Sequence, residues 1–215
     1  ISLGLVGSEM CIRDRAYDKE VDALNQHTKA DKVYIVCSKE QLDENGSMKI
    51  FSMIDKLSAE LSVASDNETK KRLLMRRAIA HSVLRDFEAA ISDFTYYISL
   101  DDKNSLAYWQ RAVCQAEMDE FSKAEGKGVL NIHSAEADFS DAIRQNSNNA
   151  YIYYNRGNLH AGRNELSKAI DDYTIALRID NRLAEAYYNR GIARAKSGNK
   201  QTAIQDLSKA GELGL

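Results

Sequence analysis

Proline is absent from all 215 positions of the sequence. Average usage of about 5% would place roughly ten prolines in a chain of this length. Proline interrupts helices because it lacks a backbone N–H and its ring clashes with the preceding turn. Its absence, together with only 11 glycines, makes the chain permissive for helix along its whole length.

Long apolar runs, basic clusters and paired cysteines are missing too. No apolar segment approaches the roughly 18 residues that a membrane span requires. The net charge of −3 without a basic block gives no electrostatic reason to bind nucleic acid. Cys11, Cys37 and Cys114 do not form the pattern of a disulfide framework or a zinc site. The remaining composition, 28% charged and 44% hydrophobic, is typical of a globular protein.

The segment LVGSEMCIRDR, residues 5–15, differs in character from the rest of the chain. Its amino acids can be back-translated into a DNA sequence that resembles the transposon-end adapter of shotgun sequencing libraries. We therefore interpret residues 1–15 as an artefactual tail and exclude them from fold reasoning. On this interpretation the reading frame was cut at its 5′ end. The absence of a signal peptide then does not indicate the cellular compartment of the protein.

An internal repeat of 34 residues organises most of the remainder. The string YYNRG occurs at 153–157 and again at 187–191. Extending this period in both directions gives four units, which are residues 71–104, 105–149, 150–183 and 184–215. Positions are counted below from the first residue of each unit, leaving out the 11 extra residues of the second.

The four units share a pattern of small and bulky residues. Position 8 is always Gly or Ala, and its residues are Ala78, Ala112, Gly157 and Gly191. Position 20 is always Ala, and its residues are Ala90, Ala135, Ala169 and Ala203. Position 4 is always large, and its residues are Leu74, Tyr108, Tyr153 and Tyr187. Small residues allow two helices to cross closely while bulky neighbours fill the space around them. In this pattern residues 71–215 resemble the tetratricopeptide repeat. The resemblance implies an all-α fold, a right-handed α-solenoid of stacked helix–turn–helix hairpins.

Two departures from the family pattern stand out. Position 7 carries arginine in place of leucine, and we expect its stem to pack while its charged head reaches solvent. Position 32 carries Asp102, Ser147 and Asn181 in place of proline. These residue types favour turns, and we expect them to cap the helices that follow.

The insertion around residues 120–130 allows two interpretations. Eleven residues are close to three helical turns, so the two helices of the hairpin could be longer and still turn their apolar sides toward each other. Gly126 and Gly128 favour a loop at the end of an extended hairpin instead. Such a projection could contact a partner or be neutral.

Residues 16–70 are predicted to form a helical N-terminal cap region. Residues 47–63 place Ile50, Ile54, Leu57 and Leu61 on one helical stripe, which predicts a helix packed on the first repeat, either as a degenerate half-repeat or as an N-terminal cap. We expect a more polar helix over 16–29, a strand or extended segment over 33–38, and a turn over 43–47. At the other end, the outer sides of Ile204 and Leu207 are expected to be exposed, since the last repeat stops at position 32.

No catalytic, cofactor or metal site is predicted. His81 and His160 occupy position 11, between the two helices, where a packed and hydrogen-bonded histidine is the expected role. His27 and His133 have no ligands at metal spacing. Residues 125–130 do not match a phosphate-binding loop. Asp171 and Asp172 are adjacent, so on a helix they point about 100° apart and do not form a catalytic pair.

The family resemblance implies a concave groove lined by the first helix of each hairpin. Positions 2, 5, 6 and 9 share one helix face, and the candidate groove residues are Arg72, Met75, Arg76, Leu106, Trp109, Gln110, Tyr151, Tyr154, Asn155, Asn158, Glu185, Tyr188 and Asn189. Their aromatic rings would supply contact area and their amides would hydrogen-bond an extended peptide backbone. The same residues could instead be repeat consensus that stabilises neighbouring hairpins. A clamp for C-terminal carboxylates would need cations at Met75, Tyr151 and Asn155, or at Trp109, Glu185 and Asn189, and neither register has them.

The predicted function is therefore a non-enzymatic scaffold that binds a peptide or protein segment in the groove. One alternative is the docking arm of a larger enzyme whose catalytic domain is missing from this sequence. Another is self-association through the exposed C-terminal helix.

Overall fold

The computed structural model describes residues 44–124 and 132–215. Within these ranges the chain is all-α, with nine helices and no strand, which confirms the predicted fold class. The helices are α1 Glu44–Val63, α2 Asn67–Val83, α3 Phe87–Leu100, α4 Ser105–Ala124, α5 Ile132–Gln145, α6 Ala150–Gly162, α7 Leu166–Ile179, α8 Ala184–Lys196 and α9 Lys200–Glu212. The predicted tail over 1–15, the helix over 16–29 and the extended segment over 33–38 lie outside the described residues.

Helix α1 contains the predicted apolar stripe and contacts α2. Ile54 and Leu57 are buried, and Ile50 and Leu61 are half-buried. The predicted turn over 43–47 is wrong from Glu44 onward, because the helix begins there. The first N–H groups of a helix have no partner within the helix, so the Asn and Gly of this stretch disturb a first turn much less than a helix interior.

Two compact units make up the chain, with the division between Cys114 and Gln115. In the N-terminal unit α2 packs on α3, around a core that includes Leu74, Ala78, Ala90 and Phe94. In the C-terminal unit α6 packs on α7 and α8 packs on α9, while α7 also contacts α8. Each of these helix pairs contains the position 8 and position 20 residues of one predicted repeat.

A residue in the left-handed backbone conformation, with positive φ, closes the turn inside each of three hairpins. It falls at position 15 and is Arg85, Asn164 or Gly198, with φ of 60°, 60° and 88°. The next N–H then donates to the carbonyl oxygen of position 11, at 2.9–3.0 Å in each hairpin. Because L-residues disfavour positive φ, Gly198 is the residue best suited to this place.

Asparagine and aspartate control the connections between hairpins, but not at the predicted position. The side chains of position 31 accept a hydrogen bond from the backbone N–H two residues later, and they are Asp101, Asn146 and Asp180. Asn104 and Asn149, at position 34, accept from N–H groups in the first turns of α4 and α6. The prediction that position 32 caps the following helix is therefore wrong, since the Asx turn and the cap lie on either side of it.

Close helix crossing explains the glycines at position 8. A Cβ atom on Gly157 would lie 2.7 Å from Cε1 of Tyr173, and one on Gly191 would lie 2.9 Å from Cγ of Leu207. Real Cβ contacts are not that short, so a side chain at either position would require the side chain of Tyr173 or of Leu207 to shift. The predicted steric role of position 8 is confirmed.

An arginine–aspartate ion pair joins the two helices of three hairpins. The arginine of position 7 donates through Nε and Nη2 to both carboxylate oxygens of position 23, at 2.6–2.9 Å; the pairs are Arg77–Asp93, Arg156–Asp172 and Arg190–Asp206. The aspartates are buried. The expectation that the arginine head reaches solvent is wrong, because a buried carboxylate requires a charged partner.

The arginines of position 7 also connect successive helix pairs. The remaining nitrogen, Nη1, donates to a hydroxyl group on the preceding helix; the pairs are Arg77–Ser58, Arg111–Thr95, Arg156–Ser140 and Arg190–Thr174, at 2.9, 3.0, 3.5 and 3.1 Å. The guanidinium groups of Arg111, Arg156 and Arg190 also lie 5.5–5.8 Å from the tyrosine ring at position 4. One side chain thus fixes both the hairpin and its neighbour.

The insertion and the C-terminal helix leave distinct features. Helix α4 has 20 residues, against 13 in α6 and α8, and it ends at Ala124. Residues 125–131, where the insertion places its two glycines, lie outside the described residues. On α9, Ile204 is 59% exposed, as the sequence predicts, whereas Leu207 is half-buried because it packs against Gly191 of α8.

Replacing Gly198 with alanine should lower the free energy of unfolding by about 1–2 kcal/mol, because an L-residue must then adopt positive φ. Nothing lies within 4 Å of the added Cβ, so the cost comes from the backbone alone. Gly211→Ala is the matched control, since it also meets open space but lies inside α9, where alanine should stabilise by up to about 1 kcal/mol. Urea unfolding of both variants measures the difference, and equal effects would contradict the assigned turn geometry.

Arg156→Leu should destabilise the chain by about 3 kcal/mol, because it leaves the buried Asp172 carboxylate without its cation. Arg144→Leu is the control. Arg144 pairs with Asp141 at 2.7 Å, but its side chain is 73% exposed, so its loss should cost under about 1 kcal/mol. Thermal unfolding followed by circular dichroism compares the two, and similar small losses would argue against a structural role for the buried pair.

Candidate functional site

The predicted groove residues lie on the first helices of the hairpins and divide between the two units. The N-terminal unit holds Arg72, Met75, Arg76, Leu106, Trp109 and Gln110. The C-terminal unit holds Tyr151, Tyr154, Asn155, Asn158, Glu185, Tyr188 and Asn189.

In the N-terminal unit the larger apolar candidates are buried. Trp109 is 1% exposed and ranks among the largest fully buried side chains of the described chain, and Met75 is 7% exposed. Arg72, Arg76, Leu106 and Gln110 are half-buried. The sequence places Trp109 at a groove position, while its burial gives it a packing role in this structure.

In the C-terminal unit α6 and α8 contact each other and carry the second set together. Tyr154 is fully buried, and Tyr151, Asn155, Asn158 and Asn189 are buried as well. Glu185 is half-buried, and Tyr188 is 40% exposed. We call these seven residues the α6–α8 face.

A buried hydrogen-bond network lies at the centre of the α6–α8 face. The Tyr173 hydroxyl donates to Oδ1 of Asn158 at 2.8 Å, and Nδ2 of Asn189 donates to the same oxygen at 2.9 Å. Nδ2 of Asn189 also lies 3.2 Å from the Tyr154 hydroxyl oxygen, which accepts from it. The Asn158 amide oxygen thus joins Tyr173 and Asn189 at one point of the network. Tyr173 belongs to α7, so the network ties the face to the helix behind it.

Two amide donors of the face have no acceptor. Nδ2 of Asn155 and Nδ2 of Asn158 are buried without a hydrogen-bond partner. A buried polar group without a partner costs about 1–3 kcal/mol, so such groups are uncommon in a folded chain. Both belong to neighbouring turns of α6. Both atoms have almost no solvent-accessible surface, so an acceptor from another molecule would reach them only after neighbouring side chains move.

Burial also changes the acidity of the two tyrosines in the network. It raises the pKa of Tyr154 and the pKa of Tyr173 above the usual value, because the phenolate would lose its hydration. The two rings lie 6.0 Å apart and are inclined by 45°. Both hydroxyl groups therefore remain protonated and act as neutral members of the network.

The histidines at position 11 have partners within their own hairpins. Nδ1 of His81 lies 3.0 Å from the Asp86 carboxylate, and Nδ1 of His160 lies 2.7 Å from Glu165. Nε2 of His160 is also 3.7 Å from Asp172. These contacts agree with the packed, hydrogen-bonded role that the sequence predicts for both.

Among the described residues no cluster of three or more His, Cys, Asp or Glu side chains could hold a metal ion. Sequence reasoning missed the role of Asp172, which it compared only with the adjacent Asp171. An aspartate recurs at position 23 in every repeat, as Asp93, Asp138, Asp172 and Asp206. The recurrence of this aspartate together with arginine at position 7 was the sequence signal that could have revealed the ion pair.

None of the described helices combines the length and apolar character that crossing a membrane requires.

Comparisons with known proteins agree with this architecture. Residues 161–198 match the family model described as TPR repeat. The crystal structure of MamA is similar, with a TM-score of 0.67 and 20% identity over 80% of this chain and 95% of that one. A MamA structure from Desulfovibrio magneticus RS-1 has a TM-score of 0.57 at 17% identity, covering 77% of this chain and 94% of that one.

A third structure, YrrB, is described as a TPR protein with an unusual peptide-binding site. It has a TM-score of 0.56 at 16% identity and covers 90% of this chain and 92% of that one. No curated protein matches the chain by sequence. At these identities the similarity establishes the fold, which is that of tetratricopeptide-repeat proteins.

The buried tyrosines predict a loss of stability at alkaline pH. A tyrosine in the unfolded chain ionises near pH 10, whereas Tyr154 and Tyr173 hold their protons in the folded chain. The unfolded state then binds fewer protons, so the free energy of unfolding should fall as the pH rises above about 10. Urea unfolding between pH 8 and 11 measures this slope.

Tyr154→Phe should make the slope shallower, because one of the ionising groups is removed. Tyr188→Phe is the control, since its side chain is 40% exposed. If both variants keep the wild-type slope, the buried tyrosines do not govern alkaline stability.

Proposed function

We propose that this chain, which contains tetratricopeptide repeats, is a non-enzymatic protein-interaction scaffold that binds a peptide or protein segment on the α6–α8 face. The observation that carries the proposal is the pair of buried amide donors without acceptors, Nδ2 of Asn155 and Nδ2 of Asn158. An extended peptide offers main-chain carbonyl oxygens, which are the acceptors that such donors require.

The exposed aromatic group of the face supports the same proposal. Tyr188 is 40% exposed and lies on α8 one residue before Asn189, which belongs to the network. A tyrosine side chain supplies a large contact area at a modest cost in conformational entropy. It therefore suits a place at the edge of a binding surface whose centre is already ordered by hydrogen bonds.

The contact role that the sequence analysis gave to Trp109 and Tyr154 needs revision. Both are fully buried, at 1% and 0% exposure. Their replacement by alanine would remove core volume and destabilise the fold by several kcal/mol, about 3–5 for a large aromatic residue. A loss of binding in those variants would not distinguish contact from unfolding, so Tyr188 is the better residue to test.

The similarity to YrrB adds a precedent. That protein is described as having a peptide-binding site, and it shares the fold over 90% of this chain. The precedent suggests that hairpins of this type can present a peptide site. The residues proposed for the site come from the contacts of this chain alone.

The test uses the full chain and a phage-displayed library of random 12-residue peptides. Peptides selected on the wild-type chain should lose about tenfold or more in affinity when Tyr188 is replaced by alanine, because an aromatic contact residue commonly contributes over 1 kcal/mol. Isothermal titration calorimetry on three selected synthetic peptides measures the change.

Tyr96→Ala is the matched control. Tyr96 is 44% exposed on α3, outside the proposed face, so its replacement removes a similar exposed ring. Affinity that falls equally in both variants, or in neither, would refute binding on the α6–α8 face.

A further inference from the structure

We propose that Glu185 and Tyr188 form a subsite for a lysine or arginine side chain of the bound segment. The inference rests on the proposed function, since it concerns the chemistry of the peptide bound at the α6–α8 face. Glu185 and Tyr188 are three residues apart on α8 and therefore share one side of the helix. A carboxylate next to an exposed aromatic ring is an arrangement that attracts cations.

The Glu185 carboxylate has no cationic partner among the described residues. No ion pair of the described chain includes it, although it is half-buried. Its place in the first turn of α8 favours the negative charge through the helix dipole, but no described residue forms an ion pair with it. A cation supplied by a ligand would give this carboxylate an ion-pair partner.

The arginines of α6 and α8 are already engaged elsewhere. Arg156, the only arginine or lysine of α6, is held by Asp172. Arg190 and Arg194 of α8 both bind the Asp206 carboxylate. Lys196 lies eleven residues after Glu185, which corresponds to about 16 Å along a helix. The face therefore keeps one negative charge that its own helices do not neutralise.

The field of Glu185 reaches the centre of the face. Burial is the main cause that raises the pKa of Tyr154, and the negative charge of Glu185 adds to the rise. The carboxylate thus acts on the network that contains Asn158 and Asn189. A ligand whose backbone reaches the amide donors of this network would bring a neighbouring side chain close to Glu185.

The charge also indicates which peptides should be rejected. A free C-terminal carboxylate at the network would be repelled by Glu185, and no unengaged lysine or arginine at positions 2, 5, 6 or 9 of α6 and α8 would attract it. The geometry therefore favours an internal segment with a basic side chain over a chain terminus. This distinguishes the site from a carboxylate clamp.

The experiment selects random 12-residue peptides on the full chain, on Glu185→Gln and on Glu185→Lys. Only peptides whose binding depends on Tyr188 are analysed, so that all of them report on the α6–α8 face. Wild-type binders should be enriched in Lys and Arg, and their affinity should fall about tenfold on Glu185→Gln, which corresponds to one charge-assisted hydrogen bond. Selection on Glu185→Lys should instead enrich Asp and Glu.

Glu88→Lys is the matched control. Glu88 lies in the first turn of α3, as Glu185 lies in the first turn of α8, so the substitution changes the net charge and a helix terminus in the same way. If Glu88→Lys alters peptide selection as strongly as Glu185→Lys, the preference reflects overall charge and the subsite proposal is wrong.

Two further outcomes separate this proposal from the proposed function. Binders that depend on Tyr188, lack basic residues and keep their affinity on Glu185→Gln would overturn the cation subsite while leaving the groove in place. A selection that yields no binder dependent on Tyr188 would overturn both.

Discussion

The ion pair between arginine at position 7 and aspartate at position 23 is the constraint on which the repeats depend. The carboxylates of Asp93, Asp172 and Asp206 are buried, and each receives two hydrogen bonds from one guanidinium group. Separating such a pair would leave an uncompensated buried charge, so the two helices of a hairpin cannot drift apart at small cost. Because the same arginine donates to a hydroxyl of the preceding helix, the order within a hairpin is transmitted to its neighbour.

This arrangement divides the first helix of each hairpin into two functional sides. On α6, Tyr153, Arg156 and Gly157 pack or pair with the adjoining helices. Positions 2, 5, 6 and 9 lie on the other side and carry the hydrogen-bond network instead. Since packing and ion pairing already hold the hairpin, residues such as Asn155 can remain without an acceptor, at a cost that the fold tolerates.

The period and the small residues made the helices and their crossing predictable, because the repeat pattern encodes the steric fit of Gly157 against Tyr173 directly. The ion pairs escaped prediction because Asp172 was compared only with its neighbour in sequence, whereas its partner Arg156 lies 16 residues earlier on another helix. The repeat pattern also did not predict that Trp109 and Tyr154 are buried. Helical periodicity specifies which side of a helix a residue occupies, but burial depends on the elements that pack there.

The departure from the usual leucine at position 7 has a consequence for the binding face. A leucine would stabilise the hairpin by burial alone and would leave the buried aspartate of position 23 without its cation. Here Arg156, Arg190 and Arg194 are committed to Asp172 and Asp206. The positive charge of these helices is therefore neutralised on the packing side, and the charge that remains on the α6–α8 face is the negative charge of Glu185. The interaction that holds the repeats together thereby also determines the electrostatic sign of the surface that they present.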